Sequence, residues 1–294
     1  MNIISIFNTP KRRIASLKID DLFIQKNNGE LKVVKENQCE YIVNPYDKRT
    51  TKKFFVCICR ENHYPYFEDY LDSLDLFDVV ILYKGLRDVL NIQQKGTQLI
   101  FIFDLDENIL ELGLQKDVMI LCIEQMTIRT RFNYMKQLYD SGYRIIDHTY
   151  AHKKHFPNTD VLPYQYNINE VNNLKRFVST VEYDVCMIGC NSELRFQIFN
   201  ELVRRGVRIT NIEGWKDIRD RKVARCKILL NVHFHDDYQI YEHLRCDRWM
   251  FVNKLIISEK SLRTKDIQVR NVIFVDYDEL VDTCIRYIKE EYTF

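Results

Sequence analysis

The chain has 294 residues, of which 46% are hydrophobic and 29% charged, as expected for a folded protein with a substantial core. Its 43 Lys and Arg residues balance 42 Asp and Glu residues. This balance argues against a nucleic-acid partner, because nucleic-acid-binding proteins carry a basic excess or stripe. No apolar run in the sequence approaches the roughly 18 residues that a membrane-spanning helix needs. We therefore expect a globular protein with no membrane span.

The cysteine pattern favours a reducing compartment. Nine cysteines, an odd number, occur without a recognisable secretory leader, so we expect a cytoplasmic protein. Cys122, Cys186 and Cys226 lie in or beside apolar segments, which is typical of small buried side chains. No Cys-x-x-Cys pair is present to begin a zinc site. The many Tyr, Asn, Ile and Lys residues are typical of an AT-rich genome and suggest a large DNA virus.

The first half predicts a parallel sheet. Residues 1–7 predict a strand, and residues 25–34 predict a hairpin with a turn at Asn28-Gly29. Short apolar runs that do not alternate with polar residues follow, which is typical of strands buried on both faces. These runs are 54–59, 78–83, 98–103, 118–123 and 143–147. The segments between them have helical spacing.

A second α/β series follows a stretch, 156–173, that is predicted to be a loop linking two domains. The predicted strands are 183–189, 206–212, 227–234, 254–259 and 271–276, and the predicted helices are 192–205, 215–225, 238–252 and 278–292. Two such series predict an α/β fold of two Rossmann-like doubly wound domains facing a cleft, residues 1–165 and 166–294.

Ligands of open parallel sheets bind beyond the carboxyl ends of the strands, and this rule selects three segments of the second half. In the first, Gly189 allows close approach to a ligand, and Asn191 or Ser192 can cap the following helix. The N-terminus of that helix offers N–H groups to phosphate, and Arg195 adds a cation. An ordinary capped helix is the alternative.

The other two segments also follow strands. His233 and His235 form a His-x-His pair for which no further metal ligand stands at a suitable spacing, so we favour contacts to a diphosphate or a sugar hydroxyl. Surface histidines without a role are the alternative. Ser258 and Glu259 end the next strand, where a carboxylate can accept hydrogen bonds from two vicinal hydroxyl groups.

The helix predicted between these two strands carries Glu242, Arg245 and Trp249 along one face. The apolar residues of this helix form a separate stripe, which is predicted to pack on the sheet. It consists of Ile240, Leu244 and Phe251. A plain surface ion pair between Glu242 and Arg245 is the alternative to a binding role.

Residues 231–259 resemble the signature segment of GT-B glycosyltransferases of the "group 1" type. In that family a strand ending in Asn-x-His leads to a helix with Glu-x-x-Arg and then to a strand ending in Ser-Glu. Here the segment reads N-V-H-F-H-D-D-Y-Q-I-Y-E-H-L-R-C-D-R-W-M-F-V-N-K-L-I-I-S-E. The upstream runs 120–126, 143–152 and 161–167 resemble the matching part of the N-terminal domain, so the resemblance covers about 120–294.

The resemblance implies a role for each matching residue. Glu242 would hold the donor sugar, Arg245 a phosphate or a supporting ion pair, and Glu259 the ribose. The family usually carries a second glutamate eight residues after Glu242, where this chain has Met250. A glycine that normally precedes the last strand is also replaced, by Asn253-Lys254.

The activity implied is transfer of a sugar from a UDP- or GDP-linked donor to a glycan or protein acceptor, without a metal or another cofactor. Cationic side chains would stabilise the leaving diphosphate. The candidates are Arg195, Arg245, Arg248 and Lys260. An inverting reaction also needs a base on the N-terminal domain, for which Glu124 is the first candidate, followed by His63 and His148.

Two other functions stay open. Asp104 and Asp106 follow an apolar run, as in the metal-binding Asp-x-Asp pair of GT-A glycosyltransferases that use Mn²⁺. The absence of the second glutamate motivates a different hypothesis, a degenerate GT-B protein that binds a nucleotide or glycan without transferring a sugar.

Overall fold

The structure is a computed structural model that describes residues 13–16, 22–27, 30–35, 39–43, 55–60, 63–74, 77–83, 93–95, 98–102, 110, 118–177, 180–262 and 271–290. Side chains are described chiefly in 63–74, 118–177, 180–262 and 271–290. The chain divides into two compact units. The first comprises Met1–Glu124 and Thr130–Leu162, and the second comprises Gln125–Arg129 and Pro163–Phe294.

The first unit contains two sheets. Its strands are β1 (Arg13–Ser16), β2 (Leu22–Asn27), β3 (Glu30–Lys35), β4 (Cys39–Val43), β5 (Phe55–Arg60), β6 (Phe77–Tyr83), β7 (Gln93–Lys95), β8 (Gln98–Ile102), β9 (Met119–Cys122), β10 (Arg144–Asp147) and β11 (Asp160–Val161). Its helices are α1 (Tyr64–Leu74), α2 (Arg129–Asp140) and a 3₁₀ turn, Tyr150–His152.

The main sheet of this unit has the order β1-β6-β5-β8-β9-β10-β11, and every neighbouring pair is parallel. The five apolar runs predicted as parallel strands are confirmed as β5, β6, β8, β9 and β10, of which β9 and the last three residues of β10 are shown to be buried. The predicted hairpin is also confirmed, since β2 and β3 pair antiparallel. It belongs to a second sheet, β4-β3-β2-β7, that the sequence did not predict. The predicted strand 1–7 lies outside the described residues.

The second unit contains one parallel five-stranded sheet with helices packed on both of its faces. Its strands are β12 (Tyr183–Ile188), β13 (Ile209–Ile212), β14 (Cys226–Asn231), β15 (Leu255–Glu259) and β16 (Val272–Val275). Its helices are α3 (Ile168–Lys175), α4 (Glu193–Arg204), α5 (Lys216–Ala224), α6 (His243–Met250) and α7 (Leu280–Lys289), with a 3₁₀ turn, Tyr277–Glu279. None of the helices in the described part of the chain is both long and apolar enough to cross a bilayer.

The strand order of this unit, β13-β12-β14-β15-β16, is that of a doubly wound sheet whose topology reverses between β12 and β14. Successive residues of β12 face opposite sides of the sheet and join separate cores. Val185 and Met187 pack with α4 and α7, whereas Cys186 packs with Trp249 of α6. The predicted parallel α/β fold is therefore confirmed in each unit.

Two predicted boundaries are wrong. The stretch 156–173 is not one continuous loop, because β11 pairs with β10 and α3 begins at Ile168. Asn167 explains that start, since its side chain accepts hydrogen bonds from the backbone N–H groups of Asn169 and Glu170. The helix predicted from residue 238 begins at His243, which places Glu242 at its N-cap.

Candidate functional site

The carboxyl ends of β12, β14 and β15 form one edge of the sheet in the second unit, called the rim below. At this rim two arginines lie against one glycine. Gly189 follows β12 and has φ +108°, a conformation that strains any residue with a Cβ. A Cβ added there would lie 3.2 Å from Nη2 of Arg245 and 3.4 Å from Nη1 of Arg195. Glycine therefore makes room for two guanidinium groups at the switch point of the sheet.

Arg195 is a buried cation with spare hydrogen-bonding capacity. Its side chain is 4% exposed, and it donates to the carbonyl oxygens of Cys190 (2.7 Å) and Val232 (2.9 Å). Within the described residues, its Nη2 has no hydrogen-bond partner. Burial, and then the neighbouring charge of Arg245, lowers the pKa of Arg195 to about 10. The group is still positive at neutral pH, so an anion would satisfy both its charge and its remaining N–H groups.

Arg245 is held by a chain of polar contacts across two strands. Its Nη1 donates to Oδ1 of Asn231 at 3.3 Å, and Nδ2 of Asn231 donates to Oγ of Ser258 at 3.0 Å. Ser258 is fully buried. It therefore supports Asn231 from within the sheet and is shielded from solvent at the rim, where the sequence analysis predicted a donor-binding side chain.

The turn before α4 is fixed by side-chain hydrogen bonds. Ser192 is the N-cap, and its Oγ accepts from the backbone N–H of Arg195. Asn211, at the end of β13, donates to the carbonyl oxygen of Gly189 (3.2 Å) and to Oδ1 of Asn191 (3.1 Å). The N-terminus of α4 is thereby set beside the two arginines.

Glu259 and His233 form a second polar pair at this rim. Oε2 of Glu259 accepts from the backbone N–H of His233 at 3.0 Å, and Oε1 lies 3.6 Å from the Nδ1 atom of the same residue. The imidazole Nε2 lies 3.0 Å from Oγ of Ser261. Burial lowers the pKa of His233 despite the opposing effect of Glu259. The imidazole is therefore neutral at neutral pH, and the partly buried carboxylate is held by the backbone N–H of His233.

Arg248 and Trp249 do not lie where the sequence analysis expected them. Arg248 is 3% exposed and is bound to Asp220 and Glu170, so its prediction as a cation available to diphosphate is wrong. Trp249 lies in the core, where it packs with Cys246 in place of the predicted Leu244 and Phe251. Ile240, also predicted to pack, is buried but precedes α6. Lys260 is exposed and paired with Asp276, and His235 is exposed beside Asp237.

Two residues of the second unit were missed by the sequence analysis. Gln125 binds both backbone groups of Ile240 and donates to Oε1 of Glu242 at 2.7 Å. Trp215 follows Gly214 at the end of β13 and is 39% exposed, a position where an indole ring can stack on a nucleobase. An aromatic residue after a glycine at a strand end was a usable signal for Trp215. Gln125 lies in the run 120–126 that resembles the family, but the resemblance gave it no role.

The first unit carries its own cluster at the end of β10. Asp147 is buried, with Oδ2 2.7 Å from Nδ1 of His152 and Oδ1 3.3 Å from Nδ1 of His148. His148 also lies 3.1 Å from the carbonyl oxygen of Cys122. Burial alone would raise the pKa of Asp147, but its hydrogen bonds with His148 and His152 lower it to about 2.

The other two base candidates also have neighbours. Oε2 of Glu124 is 2.6 Å from Nη1 of Arg131, and the ring of His63 packs edge-on against Tyr66. No group of three or more His, Cys, Asp and Glu side chains suited to a metal ion occurs in the part of the chain that the structure describes. Asp104 and Asp106, the predicted GT-A pair, lie outside the described residues.

The lowered pKa of Asp147 predicts that the free energy of unfolding decreases in acid. A depressed folded-state pKa stabilises the protein above the unfolded value of about 4, and this stabilisation is lost as the pH falls toward 2. We expect Asp147→Asn to lower the free energy of unfolding by about 2 kcal/mol at neutral pH and to remove this step. Urea unfolding between pH 2 and 6 checks it, with the exposed Asp140→Asn as control. Equal pH slopes in wild type and Asp147→Asn would contradict it.

The strand order places the second unit in the class of doubly wound α/β folds. Its rim carries two arginines beside Gly189. No family model matches the chain. It is 32% identical over 240 residues to "Uncharacterized protein L140" of Acanthamoeba polyphaga mimivirus, covering 77% of each chain, and it belongs to the same family. This relative agrees with the predicted viral origin.

Two longer mimivirus proteins are also similar. "Uncharacterized protein L138" is 30% identical over 94% of this chain, and "Uncharacterized protein L137" is 30% identical over 81% of it. This chain covers 33% of L138 and 34% of L137, about a third of the length of each.

Proposed function

We propose that the chain is a glycosyltransferase that moves a sugar from a nucleotide-diphosphate sugar to a glycan or protein acceptor. The observation that carries the proposal is the buried guanidinium of Arg195, whose Nη2 has no hydrogen-bond partner in the described part of the chain, set beside Arg245 at Gly189. Two like charges held together at low exposure repel each other, and an anion bound between them offsets that repulsion. A diphosphate carries two adjacent phosphate groups, each of which can accept hydrogen bonds from one of the two planar guanidinium groups.

The rest of the rim fits the remainder of such a donor. The N-terminus of α4 adds backbone N–H groups to the phosphate side of the site. Glu259 and Glu242 supply the carboxylates that the family resemblance assigns to ribose and sugar hydroxyls, and Trp215 offers a stacking surface for the base. In this proposal the arginines stabilise the leaving diphosphate, a role that needs no metal.

The acceptor side of the proposal rests on the family resemblance. It includes the GT-B arrangement of two Rossmann-like domains and the predicted base Glu124. Because the structure pairs Glu124 with Arg131 at 2.6 Å, this carboxylate serves as a base only after that ion pair opens.

A catalytically inactive binding protein is the second candidate. Two observations in α6 favour it. Met250 stands where the family carries its second glutamate, and Arg248 close by is held in an internal ion pair. Such a protein would retain the arginine site and bind a nucleotide or nucleotide sugar without transferring the sugar.

A thermal-shift screen of UDP- and GDP-linked sugars tests the proposal. At about 100 times its Kd, a bound donor adds about 2.7 kcal/mol of stability, which raises the Tm by about 5–10 °C for a protein of this size. We expect Glu242→Gln and Glu259→Gln each to reduce this shift, because each removes a carboxylate acceptor for a hydroxyl group. The matched control is Glu201→Gln on the exposed side of α4.

The outcomes separate the candidates. If no UDP- or GDP-linked compound shifts the Tm, both the glycosyltransferase and the binding protein are contradicted. A shift without donor hydrolysis or transfer across a broad acceptor panel favours the binding protein. A transferred sugar establishes the enzyme.

A further inference from the structure

We propose that Gln125 is a positioning residue that holds the Glu242 carboxylate away from Arg245 and so keeps this arginine open to an anion. The proposal rests on the donor site proposed above and adds a role for Gln125, which the family resemblance covers in the run 120–126 without assigning it one. Its evidence is the hydrogen-bond geometry of three side chains within the second unit.

The Gln125 amide uses its oxygen and both of its N–H groups, and its orientation is fixed. Oε1 accepts from the backbone N–H of Ile240 at 2.9 Å, and Nε2 donates to the carbonyl oxygen of Ile240 at 3.0 Å. The second N–H of the same Nε2 donates to Oε1 of Glu242 at 2.7 Å. Because a backbone N–H can only donate, the amide oxygen must face it, and the amide nitrogen must therefore face Glu242. The side chain is 6% exposed.

Without Gln125, the Glu242 carboxylate would be free to move onto Arg245. It is the N-cap residue of α6, yet its carboxylate makes no capping hydrogen bond within the described residues. Oε2 lies 3.9 Å from Nη2 of Arg245, so the two form a long ion pair without a direct hydrogen bond. Glutamate and arginine three residues apart in a helical turn readily form a direct ion pair. The hydrogen bond from Gln125 keeps this ion pair from closing to direct hydrogen-bond distance.

The position of Glu242 determines whether the guanidinium of Arg245, beside Gly189, can bind an anion. A carboxylate in direct contact with Arg245 would neutralise it and compete with an incoming anion for its N–H groups. With Glu242 held by Gln125, the guanidinium of Arg245 stays beside that of Arg195, and both charges face the same small volume. Gln125 thus sets the anion affinity of the site without touching the anion.

An anchoring role is the alternative. Gln125 begins the short segment Gln125–Arg129 of the second unit, and Thr127 of this segment also donates a hydrogen bond to the carbonyl oxygen of Asp237. If Gln125 only anchors the segment, its loss lowers stability and leaves anion affinity unchanged. If it positions Glu242, anion affinity falls, and a second change at Glu242 restores it.

Inorganic pyrophosphate is the probe, with binding to the full chain measured by isothermal titration calorimetry. We expect Gln125→Met to weaken binding about tenfold, within the usual range of a coupling between two sites. Adding Glu242→Gln to this variant should return the affinity to within about twofold of the Glu242→Gln single variant, because a neutral amide cannot neutralise Arg245. Gln165→Met, at an exposed glutamine that contacts Pro163, is the control.

A second variant covers the case in which Gln125→Met does not fold. Gln125→Glu keeps the size of the side chain and the acceptor for Ile240, and it places a carboxylate where the amide faces Glu242. The repulsion drives Glu242 toward Arg245 at neutral pH, and one shared proton relieves it in mild acid. We therefore expect pyrophosphate binding to Q125E to recover as the pH is lowered from 8 to about 5, relative to wild type at each pH.

Each result separates this proposal from the proposed function. Unchanged pyrophosphate affinity in Q125M, or no recovery in Q125M/E242Q, overturns the positioning role and leaves the donor site standing. Absence of pyrophosphate binding in the wild type contradicts the donor site instead. In that case a crystal structure of Q125M decides the positioning role. A Glu242–Arg245 separation that stays near 3.9 Å overturns it, and closure to hydrogen-bond distance supports it.

Discussion

Replacing Arg195 with methionine is expected to weaken the binding of pyrophosphate and of UDP- or GDP-linked sugars about a hundredfold or more. Arg195 lies at 4% exposure beside Gly189 with Nη2 unpartnered among the described residues. A ligand phosphate there would be bound in a desolvated site, where losing one partner of a charge pair costs about 2–5 kcal/mol. Methionine has a similar length and no charge, so the change removes the cation with little change in packing.

The loss should not arise from unfolding. Arg195→Met removes two hydrogen bonds to backbone carbonyls, but it also removes the repulsion between the guanidinium groups of Arg195 and Arg245. These effects oppose each other, and we expect the free energy of unfolding without ligand to stay within about 1 kcal/mol of wild type.

Calorimetry with pyrophosphate and chemical denaturation together check this prediction. Arg204→Met, on the exposed side of the same helix, is the matched control. Arg195→Lys should fall between wild type and Arg195→Met, because an ammonium keeps the charge but not the planar fork. Wild-type affinity in Arg195→Met would show that the anion is bound elsewhere, and the donor site at Gly189 would then be wrong.

The rim could be predicted from the sequence because one geometrical rule locates it. Parallel strands end at the same edge of a sheet, so polar residues that follow different strands lie close together whatever the details of packing. This rule identified Gly189, Arg195 and Glu259. It required only the strands, which their continuous apolar runs make easy to recognise.

What the sequence did not reveal depends on partners far along the chain. The contact between Gln125 and Ile240 joins residues 115 positions apart, and the burial of Arg248 depends on Asp220, 28 positions away. The face of α6 that packs on the sheet was also mispredicted. The helix was expected to begin five residues too early, and its orientation is set by Trp249 in the core.

The Asp147 cluster shows the same limit in the first unit. The strand that ends at Asp147 was predicted, and His148 was noted beside it. His152 was missed because its position depends on a short 3₁₀ turn, Tyr150–His152, which Thr149 caps by accepting a hydrogen bond from the backbone N–H of Ala151. Periodicity does not reveal so short an element. The 3₁₀ turn nevertheless places the imidazole of His152 2.7 Å from the carboxylate of Asp147.

The largest loss of stability is expected from Arg248→Met. Nη1 and Nη2 of Arg248 bind the two carboxylate oxygens of Asp220 at 3.0 and 3.1 Å, and Nε binds Glu170 at 2.8 Å. Removing the arginine leaves two poorly solvated carboxylates, of which Asp220 keeps a close contact with Arg219. Breaking a buried ion pair from one side costs about 3–5 kcal/mol. We expect a loss of this size in the free energy of unfolding, measured by urea denaturation.

A double variant distinguishes the ion pair from simple loss of packing. If uncompensated charge is the cause, Arg248→Met combined with Asp220→Asn should cost less than the sum of the two single changes, with a coupling of about 1–3 kcal/mol. Arg221→Met, exposed on α5, is the control. A change within about 1 kcal/mol for Arg248→Met would contradict the role of this pair in stability. Because Arg248 lies inside the unit and not at the rim, the folded fraction of this variant should still bind pyrophosphate with wild-type affinity, whereas Arg195→Met should not.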